Sequence, residues 1–338
     1  MTSRQRLDLQ SVVRLSELAD YIVPFTIRVV GELGVADELV AGPRPVAEIA
    51  EATGAHAPSL CRALRALAAR GIFTEVTPET FALTPLAEPL RSDHPLSLRA
   101  AYPLLACDVA AWARFDHSIR TGGAAFDEAH GQDYWTYLAE HPEESGRFDA
   151  SQQAATRLEL RSILPAYDWA SLGALIDVGG GNGAFLAGIL ARFKSLRGKV
   201  YDLPHVAAGA AKLFADAGVS ERAEAVGGSF LESVPAGADT YLLKRVLYHW
   251  EDDDAVRLLG NVRAAMGPGS RLLVLEPVVG PTMDEFPTGR LYDLLLLAMA
   301  GGGARGQEQL EALFQRAGLR WERLISTPML PIIEVSPV

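Results

Sequence analysis

Apolar side chains in the first third of the chain recur three or four positions apart, which is helical spacing. Residues 46–50 carry one such apolar face and residues 60–67 carry a second. Gly71 ends the second helix, and residues 72–84 alternate around a Pro-Glu turn as a hairpin does. Two helices followed by a hairpin predict a winged-helix domain, which we assign to residues 1–100.

A winged helix serves either nucleic-acid binding or protein association, and the sequence offers features for both. The second helix carries Arg62, Arg65 and Arg70, which a DNA-binding domain could use. The net charge of -11, however, disfavours binding to a phosphate backbone. Residues 21–39 also hold more apolar surface than one small domain needs. We therefore expect a homodimer built by this domain and no nucleic-acid partner.

The pattern of the remaining chain changes twice. Residues 101–165 form a helical connector rich in aromatic and acidic side chains, which we expect to contribute to a substrate pocket through aromatics such as Trp135. We expect residues 290–303 to form the main wall of the same pocket. From residue 166 to 338, short apolar runs alternate with helical segments, which predicts a doubly wound, mostly parallel sheet. The last two runs are joined directly at "TPMLP" and predict a C-terminal antiparallel hairpin. The fold class is therefore α/β with a mainly helical N-terminal domain.

Composition narrows the class of protein and the cellular environment that we expect. The chain has 338 residues, 49% of them hydrophobic and 22% charged, which is typical of a globular protein. Cys61 and Cys107 are too few for a disulfide framework, and we expect two buried thiols in a reducing cytoplasm. The histidines at 117, 130 and 141 lack metal-ligand spacing, so no metal is expected. The N-terminus has no apolar leader and no 18-residue apolar run occurs, so we expect no membrane association.

A glycine-rich loop follows the first strand of the α/β region. It runs from Asp177 to Gly183, and Asp202 stands 25 residues after Asp177, at the end of the next strand. Such a loop lets a ligand approach a helix N-terminus, and the second carboxylate can accept hydrogen bonds from a ribose diol. A dinucleotide and a nucleoside such as S-adenosylmethionine both fit. Asp177 favours the second, because a carboxylate suits a cationic ammonium or sulfonium better than a pyrophosphate.

Five motifs occur in a characteristic order: "LIDVGGGNG", "YDLPHV", "VGGSF", "LLKRVLYHW" and "VLEPVV". In order and spacing they resemble the S-adenosylmethionine-dependent O-methyltransferases that methylate plant phenolics and bacterial aromatic polyketides. The likeness covers nearly the whole chain, including the winged-helix domain that builds a dimer in that family. It implies a Rossmann-like domain binding S-adenosyl-L-methionine, and an enzyme of bacterial antibiotic biosynthesis. The implied acceptor is an aromatic hydroxylated small molecule, either free or bound to a carrier protein.

The resemblance also implies roles for residues around the cofactor. Asp202 would hold the ribose, and Ser229 and Phe230 would flank the adenine. The family usually has an acid where Ser229 stands, so the contact to the adenine amino group is expected to be weaker here. Lys244 matches a position that touches the cofactor in relatives, and Arg147 would reach its carboxylate. The implied cofactor-binding residues are Arg147, Asp177, Gly179, Gly181, Asp202, Ser229, Phe230 and Lys244.

The motif for the catalytic base departs from the family pattern Lys-x-x-x-His-Asp-Trp. Aligned on the flanking lysine and tryptophan, the base position is Tyr248, and His249 falls where an acid is usual. Of the two glutamates that support the base in relatives, one matches Glu276 and the other falls at Ala304. A one-residue step matters, because neighbouring side chains on a strand or a helix point in different directions.

Three interpretations of this motif remain open. His249 acts as the base through a local rearrangement, with Glu276 in support, and this makes His249, Glu276 and Tyr248 the predicted catalytic residues. Alternatively, Tyr248 orients the acceptor and proximity to an activated methyl group suffices. In the third interpretation the enzyme keeps its cofactor but performs hydroxylation or decarboxylation. A rival from another class is a winged-helix, ligand-sensing transcription regulator.

Overall fold

The computed structural model describes residues 8–280 and 287–338. These residues divide into two compact units, one within the ranges 8–105 and 147–154 and the other within 106–146, 155–280 and 287–338. The connector proposed from the sequence, residues 101–165, therefore contributes to both units. Its longest helix, α9 (Pro142–Ile163), runs through residues assigned to each of them.

The N-terminal unit has the predicted winged-helix arrangement. Its three strands form an antiparallel sheet in which the third strand lies between the other two. Ile49, Leu64, Leu67 and Phe81 are fully buried between helices and sheet, as the helical spacing of the apolar positions requires. The elements are α1 (Leu9–Ala19), α2 (Ile22–Glu32), β1 (Arg44–Pro45), α3 (Val46–Thr53), α4 (Ala57–Ala68), β2 (Phe73–Thr77) and β3 (Thr80–Leu83).

The first helix of this unit leaves large apolar side chains in solvent. Leu9, Val12, Val13, Leu15 and Leu18 are all more than half exposed. An apolar surface of this size on one helix is typical of a protein–protein interface.

Two arginines that could have served DNA binding are held by acids of the same unit. Arg65 contacts both carboxylate oxygens of Glu75 in the wing, with the shortest distance 2.8 Å. Arg70 pairs with Glu17 at 2.8 Å. These pairs reduce the positive charge on α4 and directly after it, which disfavours recognition of a phosphate backbone.

The C-terminal unit contains a seven-stranded sheet in the order β6-β5-β4-β7-β8-β10-β9. The first five of these are parallel, and β10 runs antiparallel to both β8 and β9. This confirms the predicted doubly wound sheet with its C-terminal hairpin. The strands are β4 (Ala174–Val178), β5 (Arg197–Asp202), β6 (Ala223–Gly227), β7 (Thr240–Lys244), β8 (Arg271–Leu275), β9 (Leu319–Ile325) and β10 (Ile332–Pro337).

Helices cover both faces of this sheet. Because strand residues alternate between faces, Leu175 and Leu242 pack into one apolar layer while Ile176 and Leu243 pack into the other. The remaining helices are α5 (Ala106–Trp112), α6 (Phe115–Thr121), α7 (Ala125–His130), α8 (Tyr134–Glu140), α10 (Ala184–Arg192), α11 (Pro204–Ala207), α12 (Ala210–Asp216), α13 (Asp252–Ala265), α14 (Pro287–Met299) and α15 (Gln307–Arg316).

The parallel strands all end at one edge of the sheet. Val178, Asp202, Lys244 and Leu275 are the last residues of β4, β5, β7 and β8. Ligands of open α/β sheets bind outside the carboxyl ends of the strands, so this edge positions the candidate site.

Two further sequence expectations concern the thiols and the membrane. Cys61 and Cys107 are free and buried, as predicted for the two thiols. Within residues 8–280 and 287–338, the helices are all too short or too polar to cross a bilayer.

Candidate active site at the carboxyl edge of the sheet

The loop after β4 adopts a conformation that requires glycine. Gly179, Gly181 and Gly183 all have positive φ angles between 61° and 79°. A Cβ atom on Gly180 would lie 2.6 Å from Cγ of Asp177, a separation that packing does not permit. At Gly181 an added Cβ would meet open space within the described part of the chain. The loop therefore leaves room for a ligand beside Gly181.

Asp202 is oriented by two backbone donors. The Gly181 N–H donates to Oδ2 of Asp202 at 2.8 Å, and the Leu203 N–H donates to Oδ1 at 2.7 Å. Each carboxylate oxygen can accept further hydrogen bonds, so the free lone pairs remain available to a ligand diol. The structure thus brings Asp202 and Gly181 together, and their binding of the cofactor stays a prediction.

Asp177 is fully buried beneath the glycine loop. Among the described residues, neither of its carboxylate oxygens has a hydrogen-bond partner. Burial raises the pKa of Asp177 to about 7, which nearby Lys244 opposes and nearby Asp202 reinforces. A buried carboxyl group without donors is stabilised by an incoming cation. The Asp177 carboxyl group therefore fits the ammonium group of S-adenosylmethionine. It does not fit a pyrophosphate, because both groups are anionic.

Phe230 also lies against the glycine loop. Its Cε1 atom is 3.4 Å from the position that a Cβ on Gly179 would take, and its ring packs edge-on against Trp250 at 5.7 Å. The carbonyl of Ser229 accepts hydrogen bonds from the backbone at 232 and 233. The structure therefore brings Phe230 close to the loop, whereas the adenine contact assigned to Ser229 and Phe230 stays a prediction.

A buried carboxylate that the sequence analysis missed joins two cations at the end of β7. Glu159 of α9 is completely buried, and its two oxygens lie 2.9 Å from Nζ of Lys244 and 2.5 Å from Nη2 of Arg245. Lys244 is thus anchored in an ion pair near Asp177, and its cofactor contact stays a prediction. The only sequence signal for Glu159 is an acid between two leucines in a long helix.

Arg245 connects this ion pair to α14. Its φ angle of 57° lies in the left-handed region, which is unusual for a residue with a side chain. Its Nη2 donates to the hydroxyl oxygen of Tyr292 at 2.5 Å, and its guanidinium lies 4.7 Å from the centre of the Tyr292 ring. The segment 290–303, expected from the sequence to line the substrate pocket, is therefore attached to the end of β7.

The Tyr248–His249 pair sits on a single 3-10 turn, Leu247–His249. Burial, and then the charge of Arg245, lower the pKa of His249 to about 4, so the ring is neutral at physiological pH. Its Nδ1 is buried and has no hydrogen-bond partner in the described ranges. The Trp135 ring packs edge-on against it at 5.5 Å, as expected for a connector aromatic near the site. Burial raises the pKa of Tyr248 above its usual range.

Glu276 binds the backbone of the turn that carries these two side chains. Its Oε1 accepts hydrogen bonds from the N–H groups of Val246, at 2.9 Å, and Leu247. Burial raises the pKa of Glu276 to about 7, which these backbone donors oppose. The hydrogen bonds that the structure describes for Glu276 thus come from the backbone, and its predicted catalytic role beside His249 stays a prediction.

Arg305, a second residue that the sequence analysis missed, grips the other side of this turn. Its side chain donates to the carbonyl oxygens of Leu247, at 3.0 Å, and Trp250, at 2.6 Å, and it pairs with Asp252 at 2.8 Å. Ala304 stands at the position of the second family glutamate. Its N–H donates to Oδ1 of Asp293 in α14 at 2.9 Å. In the sequence, Arg305 could have been found as the charged residue directly after Ala304.

Arg147 lies in the N-terminal unit, where its guanidinium pairs with Glu32. Glu32 also accepts a hydrogen bond from the backbone N–H of Leu104 at 3.1 Å. The contact between Arg147 and the cofactor carboxylate stays a prediction.

Comparison with known proteins adds an independent observation. Residues 112–320 match the family described as O-methyltransferase domain, and residues 16–93 match the O-methyltransferase dimerisation domain. The chain is similar to phenazine O-methyltransferase PhzM of Lysobacter antibioticus, with 37% identity over 330 residues, 97% of this chain and 96% of that protein. It is also 34% identical to aclacinomycin 10-hydroxylase RdmB of Streptomyces purpurascens over 329 residues, 94% of this chain and 87% of that protein.

Solved structures show the same relationship. The O-methyltransferase NcsB1 from neocarzinostatin biosynthesis, in complex with S-adenosylmethionine and 2-hydroxy-5-methyl naphthoic acid, is similar to this chain with a TM-score of 0.79. The two are 37% identical, and the match covers 95% of this chain and 98% of that one.

Proposed function

Because this chain belongs to the O-methyltransferase family, we propose that it transfers the methyl group of S-adenosylmethionine to a hydroxyl of an aromatic small molecule. The setting is bacterial natural-product biosynthesis, as for its relatives. The observation that carries the proposal is the carboxylate of Asp202, which accepts a hydrogen bond from the Gly181 N–H, together with the buried Asp177, whose oxygens have no hydrogen-bond partner in the described ranges. This pair offers a diol acceptor and a cation acceptor on one glycine loop.

The residues at the carboxyl ends of the strands each bind a different part of the cofactor. Asp202 accepts hydrogen bonds from the ribose diol, and Asp177 receives the ammonium group. Phe230 borders the adenine, and Lys244 contacts the cofactor. When bound, the cofactor supplies a methyl group already activated on a sulfonium, so the protein's main task is to position the acceptor hydroxyl.

The acceptor lies beside Trp135, His249 and the helix α14. The edge-on contact between the Trp135 and His249 rings supports an aromatic acceptor, because a flat ring stacks well on such side chains. NcsB1 holds a hydroxylated naphthoic acid, which is a molecule of this class. A carrier-bound acceptor would present the same ring to the same side chains.

The N-terminal unit makes the enzyme a homodimer. Residues 16–93 match a dimerisation domain, and α1 exposes five large apolar side chains that an interface would cover. The interface is expected to be of the obligate type, above roughly 2,000 Å².

A second candidate reaction has its own support. Tyr248 and Ala304 stand at two positions that the family uses for its base machinery, and RdmB, a relative with 34% identity, is a hydroxylase. In this candidate the cofactor is retained while the acceptor either loses its carboxyl group as carbon dioxide or is hydroxylated by an external oxidant such as molecular oxygen.

Calorimetry and product analysis test the proposal together. S-adenosylmethionine should bind, and NAD should not. With a panel of hydroxylated naphthoic acids, the enzyme should form a methyl ether and S-adenosylhomocysteine in equal amounts. Binding of NAD alone would refute the cofactor assignment. A hydroxylated product without S-adenosylhomocysteine would favour the second candidate.

A further inference from the structure

The guanidinium of Arg245 has a donor left unused inside the protein. Its Nη2 is engaged by Glu159 and by the hydroxyl of Tyr292, both at 2.5 Å. Its Nε is buried and has no hydrogen-bond partner within residues 8–280 and 287–338. The side chain is only 10% exposed, so bulk water does not readily replace the missing acceptor. Oε1 of Glu159, 2.5 Å from Nη2, is also buried without a hydrogen-bond partner in these ranges. A buried donor is costly unless it has an acceptor, and a ligand can supply one.

Positive charge exceeds negative charge at the same place. Lys244 and Arg245 are two buried cations that share one carboxylate, Glu159. Within residues 8–280 and 287–338, no other carboxylate lies within ion-pair distance of either cation. Burial raises the pKa of Asp177 to about 7, and Glu276 is held by backbone N–H groups under the neighbouring turn. The cluster is therefore short of one negative charge, which an anionic oxygen would provide.

The surroundings of Arg245 identify where that oxygen comes from. Arg245 acts electrostatically on Tyr248, at the family's base position, and on His249, the next residue. Tyr292 places the guanidinium against α14, which the sequence assigns to the acceptor pocket. In the part of the chain that the structure describes, the titratable and charged groups around the guanidinium are Glu159 from α9, Lys244 from β7, Tyr248 and His249 from the following turn, and Tyr292 from α14.

The backbone of Arg245 supports a functional role. Its left-handed φ of 57° costs energy for a residue with a Cβ, and such strain persists where the surrounding structure enforces it. Here the left-handed backbone directs the Arg245 side chain towards Glu159 and Tyr292. A residue used only to fill space would gain nothing from this conformation.

We propose that Arg245 binds the acceptor oxygen and stabilises it as a phenolate, donating from Nε while Glu159 and Tyr292 hold the guanidinium in place. This inference rests on the proposed function, and it assigns to Arg245 a catalytic role. The acceptor O–H bond breaks with its proton leaving to water, and the electron pair stays on the oxygen beside the guanidinium. A permanent cation thus takes over much of the activation that relatives obtain from a histidine base.

The ionisation of a bound phenol tests this without any methyl transfer. The probe is 4-nitrophenol, whose anion absorbs visible light and whose neutral form does not, titrated on the full-length protein with S-adenosylhomocysteine present. Binding should lower the pKa of the probe by about 1–3 units, the usual effect of an adjacent guanidinium on an acid. Arg245→Gln should abolish the shift, and Arg245→Lys should retain part of it.

A second variant separates an electrostatic role from a structural one. Glu159→Gln removes the shared carboxylate but keeps both cations, so the pKa of the bound probe should fall further than in the unmodified protein. If Arg245 only stabilises the fold, Arg245→Gln and Glu159→Gln should both weaken binding of the probe. The pKa of the probe should then shift in the same direction in both variants. Opposite shifts support the phenolate site even if one variant is less stable.

The matched control is Arg316→Gln, which removes a surface arginine paired with Asp253 and should leave the probe titration unchanged. Equal titration of the probe in the Arg245→Gln and unmodified proteins would overturn the inference. Failure of the unmodified protein to bind the phenolate would overturn it as well. Because the readout is absorbance of a bound probe, these outcomes are independent of the calorimetric and product assays that decide the proposed function.

Discussion

Arg305 donates a hydrogen bond to the carbonyl oxygen of Leu247 at 3.0 Å, fifty-eight positions earlier in the chain. On the opposite side of the same residue, the Leu247 N–H donates to Glu276. The turn that carries Tyr248 and His249 is thus held at both its carbonyl and its amide groups by buried charged side chains. Gly302 packs so closely on this turn that an added Cβ would lie 2.2 Å from the Tyr248 carbonyl oxygen.

Removal of the Arg305 side chain should loosen the turn. Arg305→Ala leaves the carbonyl oxygens of Leu247 and Trp250 without their donor, at a cost of about 1–3 kcal/mol for each buried group left unpaired. We expect a lower kcat with nearly unchanged affinity for S-adenosylmethionine, and partial rescue by Arg305→Lys. Arg316→Ala, which breaks an exposed ion pair, is the control. An Arg305→Ala enzyme with native kcat would show that the turn needs no such clamp.

Loss of the Asp202 carboxylate should weaken cofactor binding. Asp202→Ala removes the acceptor of the ribose hydroxyls and also frees the Gly181 N–H. Each charge-assisted hydrogen bond contributes roughly 1.5–3 kcal/mol, so the dissociation constant should rise at least tenfold. Calorimetry with S-adenosylmethionine measures it. Asp216→Ala, on the surface of α12, should bind normally, and equal affinities of the two variants would argue against the ribose assignment.

The buried Asp177 should make the ligand-free protein less stable as pH rises. Its pKa is 3.8 in the unfolded chain and about 7 in the folded one. The folded state therefore binds more protons between these values, and stability present below pH 4 is progressively lost up to pH 7. Asp177→Asn removes this loss, and its stability relative to the unmodified protein should rise by up to about 1.4 kcal/mol per pH unit. Urea unfolding at pH 5, 6 and 7 measures it, and a pH-independent difference would contradict the prediction.

The turn that carries Tyr248 and His249 yields a test of the base. If His249 removes the acceptor proton, His249→Ala should lower turnover by roughly 10²–10⁴ and leave cofactor affinity nearly unchanged, whereas Tyr248→Phe should cost little. The activity should then fall as pH drops through the pKa of His249, about 4, because only the neutral ring accepts a proton. An active His249→Ala enzyme, with a pH profile that follows the acceptor's own ionisation, would assign the activation elsewhere.

Dimerisation should depend on the exposed face of α1. Leu15→Glu places a charge among apolar side chains that an obligate interface would bury, and light scattering should then report monomers at micromolar concentration. Val76→Glu is the matched control, because it introduces the same charge at an exposed apolar position of the same unit. A stable dimer of the Leu15→Glu variant would place the interface elsewhere.

Local patterns in the sequence determined much of this protein. Helical spacing at residues 46–67 and the alternating hairpin that follows predicted the winged helix, because these periods reflect which faces must be buried. The apolar strands predicted the parallel sheet in the same way. The loop from Asp177 to Gly183 and the position of Asp202 predicted the cofactor edge, since both lie directly at the ends of strands.

Only the tertiary structure decided which charges meet. Glu159 pairs with Lys244 across 85 positions of sequence, and Arg305 reaches back to the turn at 247–250. An acid or an arginine in a helix looks like any solvated side chain until folding buries it, and burial then forces it to find a partner. The same is true of the pKa of His249, which packing and the charge of Arg245 lower. The local sequence indicates where the chain can turn. The packing of the folded interior decides which partner each buried side chain meets and therefore its protonation state.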